Sequence, residues 1–278
     1  MPAMPRITIV TPSYQQERWL ERSILSVLRQ GYPNLEYVVL DGGSTDASVA
    51  IIERHADRLT RWSSGPDGGQ AAAVDAGWRS ATGEILAWLN SDDFYLPGTL
   101  ELIGRWFADH PDRGFVYGQC RLVDPDGAPL GVTGSRYSRA GLLLSHQMIP
   151  QPAAFLRREL VERAGFLDPR LRYSMDYDLF LRASALERPI FLPRTLVEAT
   201  IHPAAKTTAE AGPAMDETRA LRRRHAHGIE RLVVGLQPAS SAIYHRVPIS
   251  LRRLVDRFRP ARIKADTSSR ADGGTATG

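Results

Sequence analysis

A chain of 278 residues, 43% hydrophobic and 24% charged, is long enough to bury a sizeable core and has the balance of an ordinary globular protein. One cysteine, Cys120, excludes an intrachain disulfide framework and a cysteine-based zinc site, and no apolar run is long enough to span a bilayer. The formal charge of +4 is unevenly placed: from residue 214 onward 13 Arg or Lys face 6 Asp or Glu, so the body is mildly acidic and the tail basic.

In chain order, short apolar runs alternate with amphipathic stretches. Residues 6–10 predict a first strand and residues 17–30 a helix with Trp19, Leu20, Ile24, Val27 and Leu28 on one side. A second strand over 35–40 closes on Asp41-Gly42-Gly43-Ser44-Thr45-Asp46, followed by a helix to about residue 56 and a short strand at 59–62. Next come the loop Gly65-Pro66-Asp67-Gly68-Gly69, a helix over 70–80, and the apolar run Ile85-Leu86-Ala87-Trp88-Leu89.

The second half is mixed. Strands at 115–123 and 129–132 flank the turn Asp124-Pro125-Asp126-Gly127. A strand at 153–156, a helix over 176–186 and a last strand at 194–201 complete the body. Strands separated by helices of this length predict an α/β fold with a Rossmann-like, mainly parallel sheet flanked by helices and fused to a smaller mixed half. The expected division is one domain over 1–212, with a nucleotide-sized α/β half at about 5–110 and a mixed half at about 111–212. A basic helical extension over 213–264 and a tail over 265–278 with the composition of disorder follow.

The most informative segment is Asn90-Ser91-Asp92-Asp93, where two carboxylates end a buried strand. Open α/β sheets bind ligands at the carboxyl ends of their strands, and neighbouring carboxylates there can hold a hard divalent cation that in turn holds phosphate oxygens. The same pair also suits a plain turn and helix N-cap. No Gly-x-Gly-x-x-Gly follows the first strand and no Gly-x-x-x-x-Gly-Lys occurs, so phosphate binding would fall to a metal rather than a glycine cradle.

Five segments in order carry a resemblance: Ile7-Thr8-Ile9-Val10-Thr11-Pro12-Ser13-Tyr14, Asp41-Gly42-Gly43-Ser44-Thr45-Asp46, Gly65-Pro66-Asp67-Gly68-Gly69-Gln70, Asn90-Ser91-Asp92-Asp93 and Met175-Asp176-Tyr177-Asp178-Leu179. Together, over roughly residues 5–205, they resemble the inverting family-2 glycosyltransferases with the GT-A fold. The resemblance implies an enzyme that moves a sugar from a nucleotide diphosphate donor to an acceptor hydroxyl with the help of Mg2+ or Mn2+. It assigns donor binding to Thr11, Pro12, Ser13, Tyr14, Asp41, Asp67, Gly69, Gln70 and Asp92, and the metal to Asp93, with Asp92 on ribose or metal. Asp176 is the implied base, with Asp178 as its rival, and His202 is a candidate metal ligand or diphosphate contact, with Lys206 or the region of Arg172 adding positive charge.

Two departures stand out. Asn90 occupies a position where many members carry a third Asp, and Met175 replaces the usual acidic neighbour before the base. Each carboxylate also has an ordinary competing role: Asp41, Ser44 and Asp46 as caps of the next helix, Asp176 and Asp178 as first-turn residues favoured by the helix dipole.

In the tail, Leu251, Leu254, Val255 and Phe258 fall on one helical face with Arg252, Arg253, Arg257 and Arg259 around them. Such a helix either lies on an anionic membrane or packs on the body. The resulting expectation is a cytoplasmic enzyme, peripheral on the inner membrane face, acting on a glycan or lipid-linked acceptor in envelope polysaccharide or glycolipid synthesis and binding no nucleic acid. The alternatives are a nucleotidyltransferase, although Thr11-Pro12-Ser13-Tyr14 lacks a glycine-rich basic loop, and a catalytically silent nucleotide-sugar or glycan-binding module.

Overall fold

The computed structural model describes residues 3–144, 148–202, 210–228 and 230–235. Nine strands form one sheet in the order β3-β2-β1-β4-β8-β6-β9-β5, with β7 paired to β6. The strands are β1 Ile7–Ser13, β2 Leu35–Asp41, β3 Arg61–Ser64, β4 Ile85–Trp88, β5 Asp93–Tyr95, β6 Phe115–Val123, β7 Pro129–Thr133, β8 Ala154–Arg157 and β9 Ile190–Thr200. β1 is parallel to β2 and β4, and β2 to β3, while β8 is antiparallel to both β4 and β6 and β9 runs parallel to β6. Hence β1, β2, β3, β4, β6 and β9 all point one way, and β5, β7 and β8 point back.

The helices are α1 Leu20–Leu28, α2 Ser48–Arg54, α3 Gln70–Ser80, α4 Thr99–Asp109, α5 Arg139–Leu144, α6 Arg158–Ala164, α7 Met175–Leu186, α8 Ala211–His225 and α9 Glu230–Gly235. Strand alternation sends Ile7, Ile9, Tyr37, Val39, Ile85 and Ala87 to one face of the sheet, where they pack with Leu20 and Ile24 of α1 and Leu100, Ile103 and Phe107 of α4. Val10, Val38, Leu86 and Trp88 face the other way, against Val74 and Trp78 of α3 and Leu179 and Phe180 of α7. The central strands are buried on both faces, which is why they read as continuous apolar runs.

Two details show how closely the layers approach. A Cβ on Gly77 of α3 would sit 2.9 Å from both methyl carbons of Val10, so this glycine lets α3 lie directly on β1. Glu36, buried within β2, accepts hydrogen bonds from Thr8 Oγ1, Gly83 N and both Thr82 N and Oγ1, which satisfies a carboxylate that would otherwise be costly to bury.

The sheet curls back on itself. β5 begins only five residues after β4 ends, yet it pairs with β9 at the far edge, and α1 closes the turn. Tyr95 N donates to Ser26 Oγ at 3.1 Å, and the Arg22 guanidinium lies 3.8 Å over the Phe94 ring.

The strands predicted at 115–123 and the helix at 70–80 have the observed bounds. The helix predicted over 17–30 is shorter, because Trp19 is its N-cap and Arg29 its C-cap. The last strand starts at Ile190 rather than 194: Pro193 reads as a strand breaker, but here it falls where the β6–β9 register shifts, so its missing N–H is not needed. β5, α4, α5 and α6 were not anticipated. No helix among the described residues is long and apolar enough to cross a membrane. Lys206 and the basic amphipathic stretch at 249–259 lie outside the described residues.

Candidate active site

Strand direction decides where the polar residues gather. β1, β2 and β4 end at one edge of the sheet, so Tyr14, Asp41 and Asn90 share it. β5 and β8 run antiparallel, so their first residues lie at that same edge: Asp93 opens β5 beside Ala199, and Gln151 opens the short turn that leads into β8. His202 follows the end of β9 there as well. α7 joins them because its far end is fixed at the opposite edge, where Glu187 accepts from Gly114 N at 2.6 Å just before β6. Its first turn, with Asp176, therefore points back to the carboxyl edge.

One part of this edge is built from loops after β1, β2 and β3. Asp41 is buried, and its carboxylate accepts from Gly43 N, Ser44 N, Ser44 Oγ and Ser64 Oγ. Three of these donors meet Oδ2 and one meets Oδ1, so Oδ1 keeps a lone pair that a donor from a ligand could use. Gln15 holds a left-handed backbone, φ 55°, which is uncommon outside glycine. Its side chain secures it: Nε2 donates to Thr45 Oγ1 at 2.9 Å and Oε1 accepts from Thr45 N and Asp46 N.

That turn leaves the Tyr14 ring 62% exposed. A Cβ on Gly42 would lie 3.3 Å from Asp67 Oδ2 and 3.4 Å from Tyr14 Cδ2, so Tyr14 and Asp67 flank a bare stretch of backbone. Asp67 Oδ1 is taken by Gly69 N at 2.7 Å, at a glycine with φ 101°. Thr11 does not face this space: its side chain is buried and bonded to Tyr37 OH at 3.1 Å. Ser13 is also buried, and its Oγ has no partner among the described residues.

A second part is a row of amides leading to a carboxylate. Gln70 Nε2 donates to Asn90 Oδ1 at 2.7 Å; Asn90 Nδ2 donates to Asp93 Oδ2 and to Gln151 Oε1, both at 3.1 Å; Gln151 Nε2 donates to Trp88 O at 2.8 Å. Asp93 is 6% exposed. Burial, and next the charge of Asp92, push its carboxyl well above the usual range, with the Asn90 bond opposing. Asp92 Oδ2 meets His202 Nε2 at 3.1 Å, and the His202 ring packs on Trp19.

Among the described residues no three His, Cys, Asp or Glu side chains converge into an all-protein metal cage. The donor set still suits a hard cation, since Mg2+ is commonly held by one or two carboxylates with the remaining positions taken by substrate phosphates and water. A buried carboxylate with a second one beside it, and no Lys or Arg among the described residues bonded to either, fits that requirement.

The third part is the first turn of α7. Asp176 is half-buried, and no salt bridge involves it among those within the described residues. Burial pushes its carboxyl up to about 6, against the lowering effect of the Tyr177 and Asp176 backbone N–H groups. Asp178 is different. It is 2% exposed, with Oδ2 accepting from Arg182 Nε at 2.8 Å and Oδ1 meeting His225 Nε2 at 2.9 Å. Burial acts to raise its carboxyl, but His225 and Arg182 outweigh it and hold it below the ordinary range.

A family model described as glycosyl transferase family 2 matches residues 8–163. The chain belongs to this family. Among its relatives, an uncharacterized glycosyltransferase of Rickettsia typhi is 28% identical over 228 residues, covering 78% of this chain and 70% of the other. One of Haemophilus influenzae is 40% identical over 183 residues, covering 64% and 71%. Of solved structures, S. aureus TarS 1-349 in complex with UDP-GlcNAc superposes with a TM-score of 0.67 at 18% identity, covering 91% of this chain and 79% of that one. Mannosyltransferase PcManGT from Pyrobaculum calidifontis, in complex with GDP-Man and Mn2+, gives 0.62 at 19% identity, with 92% and 81% covered. The fold is GT-A, and the protein is a glycosyltransferase.

The family match stops before Asp176 and His202, so the base segment and the end of β9 lie beyond it. Sequence reasoning missed Gln15 and Ser64 as parts of the site; the resemblance marks Gln151 only as the start of an acceptor-side strand, without its amide bonds to Asn90 and Trp88. The sequence predicts a basic helical extension from residue 213, but not that its first helix, α8, brings Glu217 and His225 to the first turns of α7. No local pattern marks these contacts, because each joins segments far apart in the chain. Ser64 alone had a signal, a polar residue at the end of a predicted strand.

Proposed function

We propose that this family-2 glycosyltransferase is an inverting, divalent-metal-dependent enzyme that transfers a sugar from a nucleotide diphosphate donor to a hydroxyl of a glycan or lipid-linked acceptor. The observation that carries the reading is Asp176: a half-buried carboxylate at the carboxyl edge, outside any ion pair within the described residues and poised near 6, beside a rival that is fully engaged. A general base works best with a pKa near the operating pH.

On this reading Asp176 takes the proton of the acceptor hydroxyl, whose oxygen attacks the anomeric carbon. The bond from that carbon to the diphosphate breaks on the opposite side, its electron pair leaves with the nucleoside diphosphate, and the configuration inverts in one displacement. Tyr14 offers an exposed ring to the base, Asp67 Oδ2 a polar contact across the bare Gly42 backbone, and the Gln15 and Asp41 bonds hold those loops in place. Asp93, with Asp92 and His202 next to it, would hold Mg2+ or Mn2+, which supplies positive charge for the leaving diphosphate. The nucleotide sugars named for TarS and PcManGT, and the Mn2+ of the latter, support donor class and metal. The basic tail supports contact with an anionic membrane face, and on this reading the product is an envelope polysaccharide or glycolipid.

The test is a thermal-shift screen of UDP-, GDP- and dTDP-sugars with and without Mn2+, since ligands of the native state raise the melting temperature. For the donor that binds, the anomeric configuration of the product is then read by proton NMR. A donor effect that ignores a chelator removes the metal from the proposal; a product with retained configuration removes the direct displacement.

A further inference from the structure

The segment that delivers Asp176 to the site is not held by α7 itself. Ser174, the N-cap of α7, makes no capping bond with its side chain. Instead a carboxylate from α8 takes the three backbone N–H groups that precede the helix. Glu217 Oε2 accepts from Arg172 N at 2.9 Å, and Oε1 accepts from Tyr173 N at 2.8 Å and Ser174 N at 2.6 Å. Successive N–H groups turned to one side form a concave anion site, and here the anion belongs to the protein. Thr218 Oγ1 meets Ser174 Oγ at 2.8 Å, and Glu210 takes Arg172 Nη2 at 2.8 Å and the Tyr173 hydroxyl.

We infer that Glu217 is a positioning residue for Asp176: by seating on the N–H groups of Arg172, Tyr173 and Ser174 it fixes the entry to α7 and so the place of the Asp176 carboxylate at the carboxyl edge. The inference rests on the reading of Asp176 as the base. It makes α8 part of the catalytic apparatus, although that helix lies outside the segment matched by the family. Charge supports the geometry. The charged groups around the start of α7 include Glu217, Glu210 and Arg172, then Asp178, Arg182 and His225 in its next turn, and Arg222 and Arg139 beside Tyr177. Burial is the main cause that raises the Asp176 carboxyl, and the charge of Glu217 adds a smaller push in the same direction.

The experiment uses the full chain as wild type, Glu217→Gln, Glu217→Ala and Asp176→Asn. The carboxyl 13C signal of Asp176, assigned by its loss in Asp176→Asn, is titrated with pH, and nucleoside diphosphate release from UDP-GlcNAc and GDP-mannose with Mn2+ is followed alongside. Glu217→Gln keeps an acceptor oxygen but loses the charge and turns an N–H group toward the backbone donors. The Asp176 midpoint is expected to fall below that of the wild type, because the charge of Glu217 acts to raise it. For a donor that is turned over, kcat should drop about tenfold or more in Glu217→Ala, because misplacing a catalytic group by an ångström can cost about a hundredfold. KM for that donor should stay within about twofold. Should Glu217→Ala fail to fold, the Glu217→Gln titration decides alone. An unchanged midpoint in Glu217→Gln overturns the inference, as does wild-type kcat in both Glu217 variants beside an inactive Asp176→Asn. Full activity of Asp176→Asn instead overturns the choice of base.

Discussion

The side-chain amide of Asn90 donates to Asp93 Oδ2 at 3.1 Å, so the residue that departs from the family's third aspartate serves as the hydrogen-bond donor to the proposed metal carboxylate. Asn90 also donates to Gln151 and accepts from Gln70, and thus links the end of β4, the start of α3, and the segment entering β8. An aspartate there could accept from Gln70 but could donate to neither partner.

Asn90→Asp is therefore expected to destabilise the metal-free protein. Asp93 and Gln151 Oε1 would lose their donor, and each unsatisfied buried group costs about 1–3 kcal/mol, with like-charge repulsion added. Mn2+ should recover part of this loss, because a third carboxylate strengthens the field a cation meets. Melting temperatures of both proteins in chelator and in Mn2+ check it; an equal Mn2+ response in the two would contradict the assignment.

Asp93 itself should be a stability cost retained for function. Its folded carboxyl lies above the ordinary value, through burial and then the charge of Asp92, so the folded state binds the proton more tightly than the unfolded chain. Its contribution is fully present below the unfolded value of about 4 and is lost as pH rises through the folded value. At neutral pH Asp93→Asn should accordingly melt higher than wild type in chelator, yet show no stabilisation by Mn2+. A lower melting temperature at neutral pH would mean that the carboxylate is compensated by something other than a cation.

How much of this was readable beforehand depended on the range of the interaction. The helix at 70–80 and the strand at 115–123 are fixed by local periodicity and turn residues, and the positions of Asp41, Asp67, Asp93 and Asp176 followed from motifs at element ends. α4 carries the helical signal as well, in Leu100, Ile103 and Phe107, although no element is assigned to that stretch from the sequence. The closure of the sheet could not be read, because β5 is three residues long and pairs with β9. Nor could the dual use of Asp178, because nothing in the sequence brings His225, in the expected helical extension, against α7.

The basic tail offers a prediction independent of the site. Deleting residues 246–278 removes the arginine-rich amphipathic stretch, and should leave melting temperature and donor binding unchanged while lowering association with anionic vesicles at low salt. Equal vesicle binding by both chains would remove the membrane contact from the proposed function.

Asp176 and Asp178 sit two residues apart and should fail in opposite ways. In Asp176→Asn the near-isosteric amide keeps the fold and donor binding but cannot take a proton, so transfer should fall about a hundredfold to ten-thousandfold. Because the Asp176 carboxyl is pushed up to about 6, the wild-type rate should also decline as pH drops through that value, and the variant's residual rate should lose this limb. Asp178→Asn breaks the buried contacts with Arg182 and His225, and removing one member of a buried ion pair costs about 3–5 kcal/mol. The loss should appear in stability first. Its folded carboxyl lies below the ordinary range, so its stabilisation is present above about pH 4 and fades as pH falls through the lower folded value. The gap in unfolding free energy between wild type and Asp178→Asn should therefore narrow in acid. Denaturation at pH 7 and pH 3.5, with transfer assays on both variants, separates the roles: a stable but inactive Asp178→Asn beside a fully active Asp176→Asn would exchange base and anchor.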